Sequence, residues 1–206
     1  MQVQSLFATG VAVGRFRPAV VRALNPRLLR ECRQLRADDA AGRRWSRSRY
    51  PGGYTSYGTL CRMHTLSPTF ARLAALLQPA VAAHARALDF DLGRRRLAMT
   101  DCWVNIMQHG VSHGLHLHPH AVISGTYYVQ TPPGASALKF EDPRLDRLMA
   151  APPRRASARR HNQTWVSVPA EAGQFVLFES WLRHEVVANR SRQARISISF
   201  NFDLPR

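Results

Sequence analysis

The last eight residues before the C-terminal tail, Arg195-Ile-Ser-Ile-Ser-Phe-Asn-Phe202, alternate without a break. Strand side chains point to opposite faces with period 2, so Ile196, Ile198, Phe200 and Phe202 share one face. Arg195, Ser197, Ser199 and Asn201 share the other. If the polar face meets water, this is an edge strand. If it faces inward, a buried guanidinium needs an anion, because an unpaired one is very costly to desolvate. A carboxylate, which accepts two parallel N–H bonds, is its natural partner.

The rest of the chain shows a change of period near Arg96. The first half reads mostly helical. Pro26 after Asn25 predicts a helix start, with Leu28, Leu29, Cys32 and Leu35 on one face. A second helix opens at Ser67-Pro68 and carries Phe70, Leu73, Leu76, Leu77, Val81 and Leu88, and Pro79 inside it predicts a kink or break. Between the helices, residues 49–58 have turn chemistry. After Arg96, residues 97–107, 121–130, 137–140, 164–168, 174–178 and 195–202 are short β-prone runs. The expected fold is therefore mainly β with N-terminal helices, an antiparallel sandwich or barrel of jelly-roll or cupin-like kind. Residues 1–206 are expected to form one domain, with 1–96 as a helical buttress, 97–206 as the β core, and 144–161 as a flexible surface loop.

Histidine carries the chemistry. Five of nine histidines lie between positions 109 and 120. His116-Leu-His118-Pro puts two imidazoles on one side of an extended segment. Two ligands at i and i+2 with a distant third is how a β-barrel builds a facial metal site, and His184, after an apolar strand and a turn, is the third candidate. An incidental histidine-rich loop is the competing reading. An inward Arg195 beside such a site suggests a small dicarboxylate that chelates the metal.

These stretches resemble a known family. Asn105…Gly110…His116-Leu-His118-Pro…Ser124-Gly-Thr-Tyr-Tyr-Val129, Leu138-Lys-Phe-Glu-Asp-Pro-Arg144 and Gly173-Gln-Phe-Val-Leu-Phe178…His184…Arg195-Ile-Ser are similar to the 2-oxoglutarate/Fe(II) oxygenases. More narrowly, they resemble a small bacterial and phage group with His-x-His-Pro, Ser-Gly-x-Tyr-Tyr and Asp-Pro-Arg signatures, and prolyl-hydroxylase-like members share the Tyr-Tyr strand. Gly52-Gly-Tyr-Thr-Ser56 echoes the same group. The resemblance implies a double-stranded β-helix that uses Fe(II), 2-oxoglutarate and O2 to hydroxylate a substrate, with succinate and CO2 released. It implies His116 and His184 as metal ligands and Arg195 as the anchor for the distal carboxylate of 2-oxoglutarate. Tyr128, Asn105 and Ser197 are implied to assist in binding that cosubstrate. The superfamily's usual second ligand is a carboxylate, at the position held here by His118, so the expected triad is His116, His118 and His184. Asp142 is a candidate replacement carboxylate, although the Asp-Pro-Arg turn gives it another use.

Composition narrows the rest. Net charge is +16 from 29 basic and 13 acidic residues, and Lys139 is the only lysine. Arginine excess fits GC-rich codon usage, or an anionic partner. A small-molecule or peptide substrate, anionic or not, is expected. A nucleic-acid dealkylase is the alternative, with Trp45 and Tyr50 as its candidate base-stacking residues. A three-histidine cupin-like dioxygenase that does not use 2-oxoglutarate, and a non-catalytic metal-binding module, also remain open. No apolar run is long enough for a membrane span and no signal peptide is read. Three widely spaced cysteines suggest reduced thiols and a cytoplasmic setting.

Overall fold

The computed structural model describes residues 1–144 and 149–205. A short strand β1 (Val11–Arg15) precedes helices α1 (Pro18–Asp38) and α2 (Ala40–Arg49). Strand β2 (Tyr54–Thr55), helix α3 (Met63–Leu66) and helix α4 (Pro68–Ala87) follow. The remaining strands are β3 (Ala98–Met107), β4 (His113–His116), β5 (Ile123–Gln130), β6 (Leu138–Glu141), β7 (Trp165–Val168), β8 (Gln174–Glu179), β9 (His184–Val186) and β10 (Arg195–Asp203). They form a six-stranded sheet in the order β1-β8-β5-β10-β3-β2 and a four-stranded sheet in the order β4-β9-β6-β7. All these strand pairings are antiparallel.

The alternation in β10 separates two interiors. Ile196, Ile198, Phe200 and Phe202 join Leu24, Leu28 and Cys32 of α1 and Phe70, Leu73, Leu77 and Val81 of α4 in one apolar cluster. A second cluster includes Met107, Tyr128, Phe140, Val176 and Phe178, which come from strands of both sheets. Burial of each large side chain contributes roughly 1.5–3 kcal/mol. β10 is no edge strand: β3 and β5 flank it, and Arg195 is 2% exposed.

Several expectations need correction. Pro26 does not start a helix. α1 begins at Pro18, at a first-turn position, and Pro26 lies inside it. Asn25 is not a cap: its Nδ2 donates to the Val129 carbonyl at 3.0 Å, and it accepts from the Tyr127 hydroxyl, which ties α1 to β5. α4 does open at Ser67, whose hydroxyl accepts from the Thr69 and Phe70 amides, yet it runs through Pro79 to Ala87 because its apolar face is packed along its length. β1 lies in the half read as mostly helical. Part of the loop at 144–161 falls outside the described residues; within the rest, Arg160–Asn162 forms a 3-10 turn. Among the described residues no helix is long and apolar enough to cross a membrane.

Gly125, in the middle of β5, faces the helix-side core. A Cβ there would stand 2.5 Å from the Val176 carbonyl oxygen and 2.5 Å from the Phe200 ring. The carbonyl belongs to a paired strand and cannot yield. Gly125→Ala should lower stability by about 1–3 kcal/mol, the usual cost of overpacking. Urea unfolding would measure it, and an unchanged midpoint would show that the strands separate more easily than their pairing implies.

Candidate metal and cosubstrate site

β4 and β9 pair so that His116 stands opposite His184, with an irregularity between His113 and His116. His118 follows β4, and its amide donates to the Ser180 carbonyl at 2.9 Å. One nitrogen from each of His116, His118 and His184 lies within 4.8 Å of the others, and this is the one such group that could hold a metal among the described residues. All three Nδ1 atoms face oxygen acceptors: the Gly114 carbonyl at 2.7 Å, Asn201 Oδ1 at 2.7 Å and the Leu182 carbonyl at 2.9 Å. That pattern places the ring proton on Nδ1 and leaves an Nε2 lone pair on each ring. Asp142 is elsewhere engaged: it accepts from the Arg144 amide and guanidinium, so it holds the Asp-Pro-Arg turn and is not part of the cluster.

Arg195 lies behind this cluster. Its Nε donates to the Ser136 carbonyl at 3.1 Å, and one terminal nitrogen reaches Ser197 Oγ at 3.1 Å and Met107 Sδ at 3.4 Å. The guanidinium carbon lies 5.0 Å from the centre of the Tyr128 ring. None of these partners is anionic, and Arg195 makes no ion pair with a described residue. Four buried polar atoms on this side of the sheet lack partners: the hydroxyls of Tyr50, Tyr128 and Ser136, and Asn105 Oδ1. Asn105 Nδ2 donates to Ser199 Oγ at 3.0 Å. Buried groups left unpaired are costly, and a buried cation without an anion more so. A carboxylate is the kind of partner that such groups suit.

Tyr50 is largely buried; its ring lies 5.2 Å from that of His113, and the charge of Arg195 acts on its hydroxyl. Turn-like sequence around Tyr50 gave no signal of this. Trp45 and Tyr50 both line an open cleft of about 180 Å³, together with Arg49, Tyr57, Trp103, His116 and His118. Asn201 was legible as an inward polar residue, but not as a partner of His118.

Residues 101–201 match the family described as "Putative 2OG-Fe(II) oxygenase". Those residues, just under half of the chain, carry its likeness to the 2-oxoglutarate/Fe(II) oxygenases. No curated protein is significantly similar to this chain in sequence. Among solved structures it resembles a prolyl-4-hydroxylase from Pseudomonas putida, at 17% identity and a TM-score of 0.60 over 96% of this chain and 94% of that one. It also resembles the non-heme alpha ketoglutarate dependent epimerase SnoN from nogalamycin biosynthesis, at 17% identity and a TM-score of 0.62 over 95% and 76% of the chains. HygX from Streptomyces hygroscopicus, with nickel and 2-oxoglutarate bound, matches at 15% identity and a TM-score of 0.59 over 95% and 82%. At these identities the likeness is one of fold.

The residues present fit the family's metal and cosubstrate. Three Nε2 lone pairs converge, as a metal requires, and the orphaned hydroxyls around Arg195 suit a carboxylate. Burial also keeps the imidazoles neutral, the form a metal binds. It is the first cause in each case and holds His113 down to about 3, His118 to about 4 and His184 to about 2, with His116 also lowered. These groups take up protons in the unfolded chain below 6.5 but stay neutral when folded. Stability of the metal-stripped enzyme is therefore fully present above pH 6.5 and is lost as pH falls from 6.5 toward 4, by at most about 1.4 kcal/mol per pH unit per histidine. Urea midpoints measured in chelator should be flat from pH 7 to 8 and decline below 6.5. A midpoint that holds or rises between pH 7 and 5 would contradict this.

Proposed function

We propose that residues 1–206 form one dioxygenase domain with a double-stranded β-helix core, in which His116, His118 and His184 hold Fe(II). Arg195 receives the distal carboxylate of 2-oxoglutarate, with Tyr128, Ser197 and Asn105 assisting. The alternation of the two sheets, β3-β10-β5-β8 over β4-β9-β6-β7, supports the β-helix reading. The observation that carries the cosubstrate assignment is the buried Arg195, surrounded by unpartnered hydroxyls and lacking an anion among the described residues. A cupin-like dioxygenase without 2-oxoglutarate would leave that guanidinium unpaired, so this reading is not favoured.

With Fe(II), 2-oxoglutarate and O2 bound, the chemistry supplied is oxidation of 2-oxoglutarate to succinate and CO2, coupled to insertion of one oxygen atom into a substrate C–H bond. The protein's contributions lie in its own residues. The Nδ1 hydrogen bonds aim three imidazoles at one point, Arg195 orients a dicarboxylate beside them, and the aromatic packing of Phe178 against His184, with ring centres 4.6 Å apart, excludes water from one side. The substrate approaches through the cleft lined by Trp45, Tyr57 and Trp103. The neighbours include SnoN in complex with nogalamycin RO and HygX with hygromycin B, which supports a small-molecule substrate. Arg49 on the cleft suits an anionic group. A nucleic-acid substrate is the second reading: Trp45 and Tyr50 both line the cleft, with Tyr50 largely buried. Three free cysteines, two of them buried, fit a reducing cytoplasm.

Succinate should form from 2-oxoglutarate when Fe(II) and O2 are supplied, even without a prime substrate. Complete absence of succinate would favour the non-catalytic or cupin-like alternatives. Arg195→Ala should weaken 2-oxoglutarate binding at least about 30-fold, as removal of a buried charge partner costs 2 kcal/mol or more. Calorimetry on the Zn2+-loaded protein would measure this, while Zn2+ affinity itself stays within a few-fold. Equal losses of both would contradict the assignment.

A further inference from the structure

The polar face of β10 continues past Arg195 to a second arrangement that cosubstrate binding leaves unused. At one level of the sheet, Asp101 on β3, Asn201 on β10 and Ser124 on β5 are cross-strand neighbours in register. Their side chains bond in a row. Asn201 Nδ2 donates to Asp101 Oδ2 at 3.2 Å, and Ser124 Oγ donates to Asn201 Oδ1 at 2.8 Å. Ser180 Oγ lies 2.7 Å from Ser124 Oγ. Thr100 Oγ1 donates to the other end of the row, Asp101 Oδ2, at 2.9 Å. The row meets His118 twice, once at its ring through Asn201 Oδ1 and once at its amide through the Ser180 carbonyl.

We infer that Asp101 and Asn201 are positioning residues that set the tautomer and the aim of His118. The inference rests on His118 being a metal ligand. A carboxylate only accepts hydrogen bonds, so Asp101 obliges Asn201 to turn its NH2 toward it. The amide oxygen must then face His118, and an amide oxygen only accepts. His118 is thereby obliged to carry its proton on Nδ1, which leaves Nε2 free for a metal. Direction passes from a carboxylate, through one amide, to an imidazole. His118 needs this more than its partners do. His116 and His184 are fixed by strand pairing to each other, whereas His118 lies beyond the end of β4. The row also links a carboxylate, through the Asn201 amide, to a histidine set that contains none.

Zn2+ competition against a chromophoric chelator, run on the full chain, tests the pair. Asn201→Leu should weaken Zn2+ binding 10–100-fold, the usual effect of losing a partner that orients a ligand. Asp101→Asn should weaken it less, because the side chain at 101 keeps an oxygen but no longer forces the direction. In a His118→Ala background, Asn201→Leu should cost nothing more. A full loss in that background would make Asn201 a general structural residue and overturn the inference, as would near wild-type affinity in Asn201→Leu itself. If His118→Ala binds Zn2+ as well as wild type, His118 is no ligand and the metal assignment fails first. Long-range 1H–15N spectra of the metal-stripped wild-type protein give a measure that needs no variant. His118 should be protonated on Nδ1, and a proton on Nε2 would overturn the inference.

Discussion

A guanidinium buried in the sheet with no anionic partner among the described residues sets the electrostatics around it. Arg195 sits on a strand with neighbours on both sides, so it cannot swing to solvent, and its carbonyl, hydroxyl and thioether partners satisfy hydrogen bonds without neutralising charge. A buried cation of this kind is costly to desolvate, and none of its described partners is an anion that would offset that cost. The same charge reaches further. It acts on Tyr50 and His113, where it adds to burial in keeping the His113 imidazole neutral. The same burial that isolates the guanidinium keeps the neighbouring imidazoles neutral, the form that can bind a metal.

The fold can carry such a cost because the alternation of β10 keeps the two interiors apart. The helix-side cluster draws on Ile196, Ile198, Phe200 and Phe202, and its packing against α1 and α4 is wholly apolar at those positions. The site draws on the residues between them. Substitutions at Arg195, Ser197 or Asn201 therefore remove polar partners from one face without opening a cavity on the other, and loss of function can be separated from loss of fold. Gly125 marks where the margin is thin: the approach of Phe200 and the Val176 carbonyl leaves no space for a methyl group.

What the sequence conveyed follows the same division. Features that depend on period 2 were legible: the β10 faces, the pair His116 and His118 on one side of an extended segment, and the third histidine after a strand. The family resemblance supplied roles for Tyr128 and Asn105. Features fixed by contacts distant in sequence were not legible. Asn25 before Pro26 reads as a cap, yet its amide is taken by Val129 and Tyr127, over a hundred residues away. Tyr50 reads as a loop aromatic, yet it is buried among Met107, Val111 and Tyr128. Asn201 reads as one more polar residue on its face, and only the register of three strands reveals that it joins Asp101 to His118.

That register bears on the charge of the assembled site. Fe(II) would bring two positive charges and Arg195 one, against two negative charges from 2-oxoglutarate. With three neutral imidazoles as ligands the sum is one positive charge in a partly buried space. A carboxylate ligand would cancel it directly. Here Asp101, one amide removed from His118, can cancel it at a distance and without occupying a coordination position. The nearby cleft, with Arg49 in its lining, would then act on a substrate through that arginine alone and not through a net charge at the metal. Whether the enzyme attracts anions thus depends on the reach of Asp101 as much as on the arginines that dominate the composition.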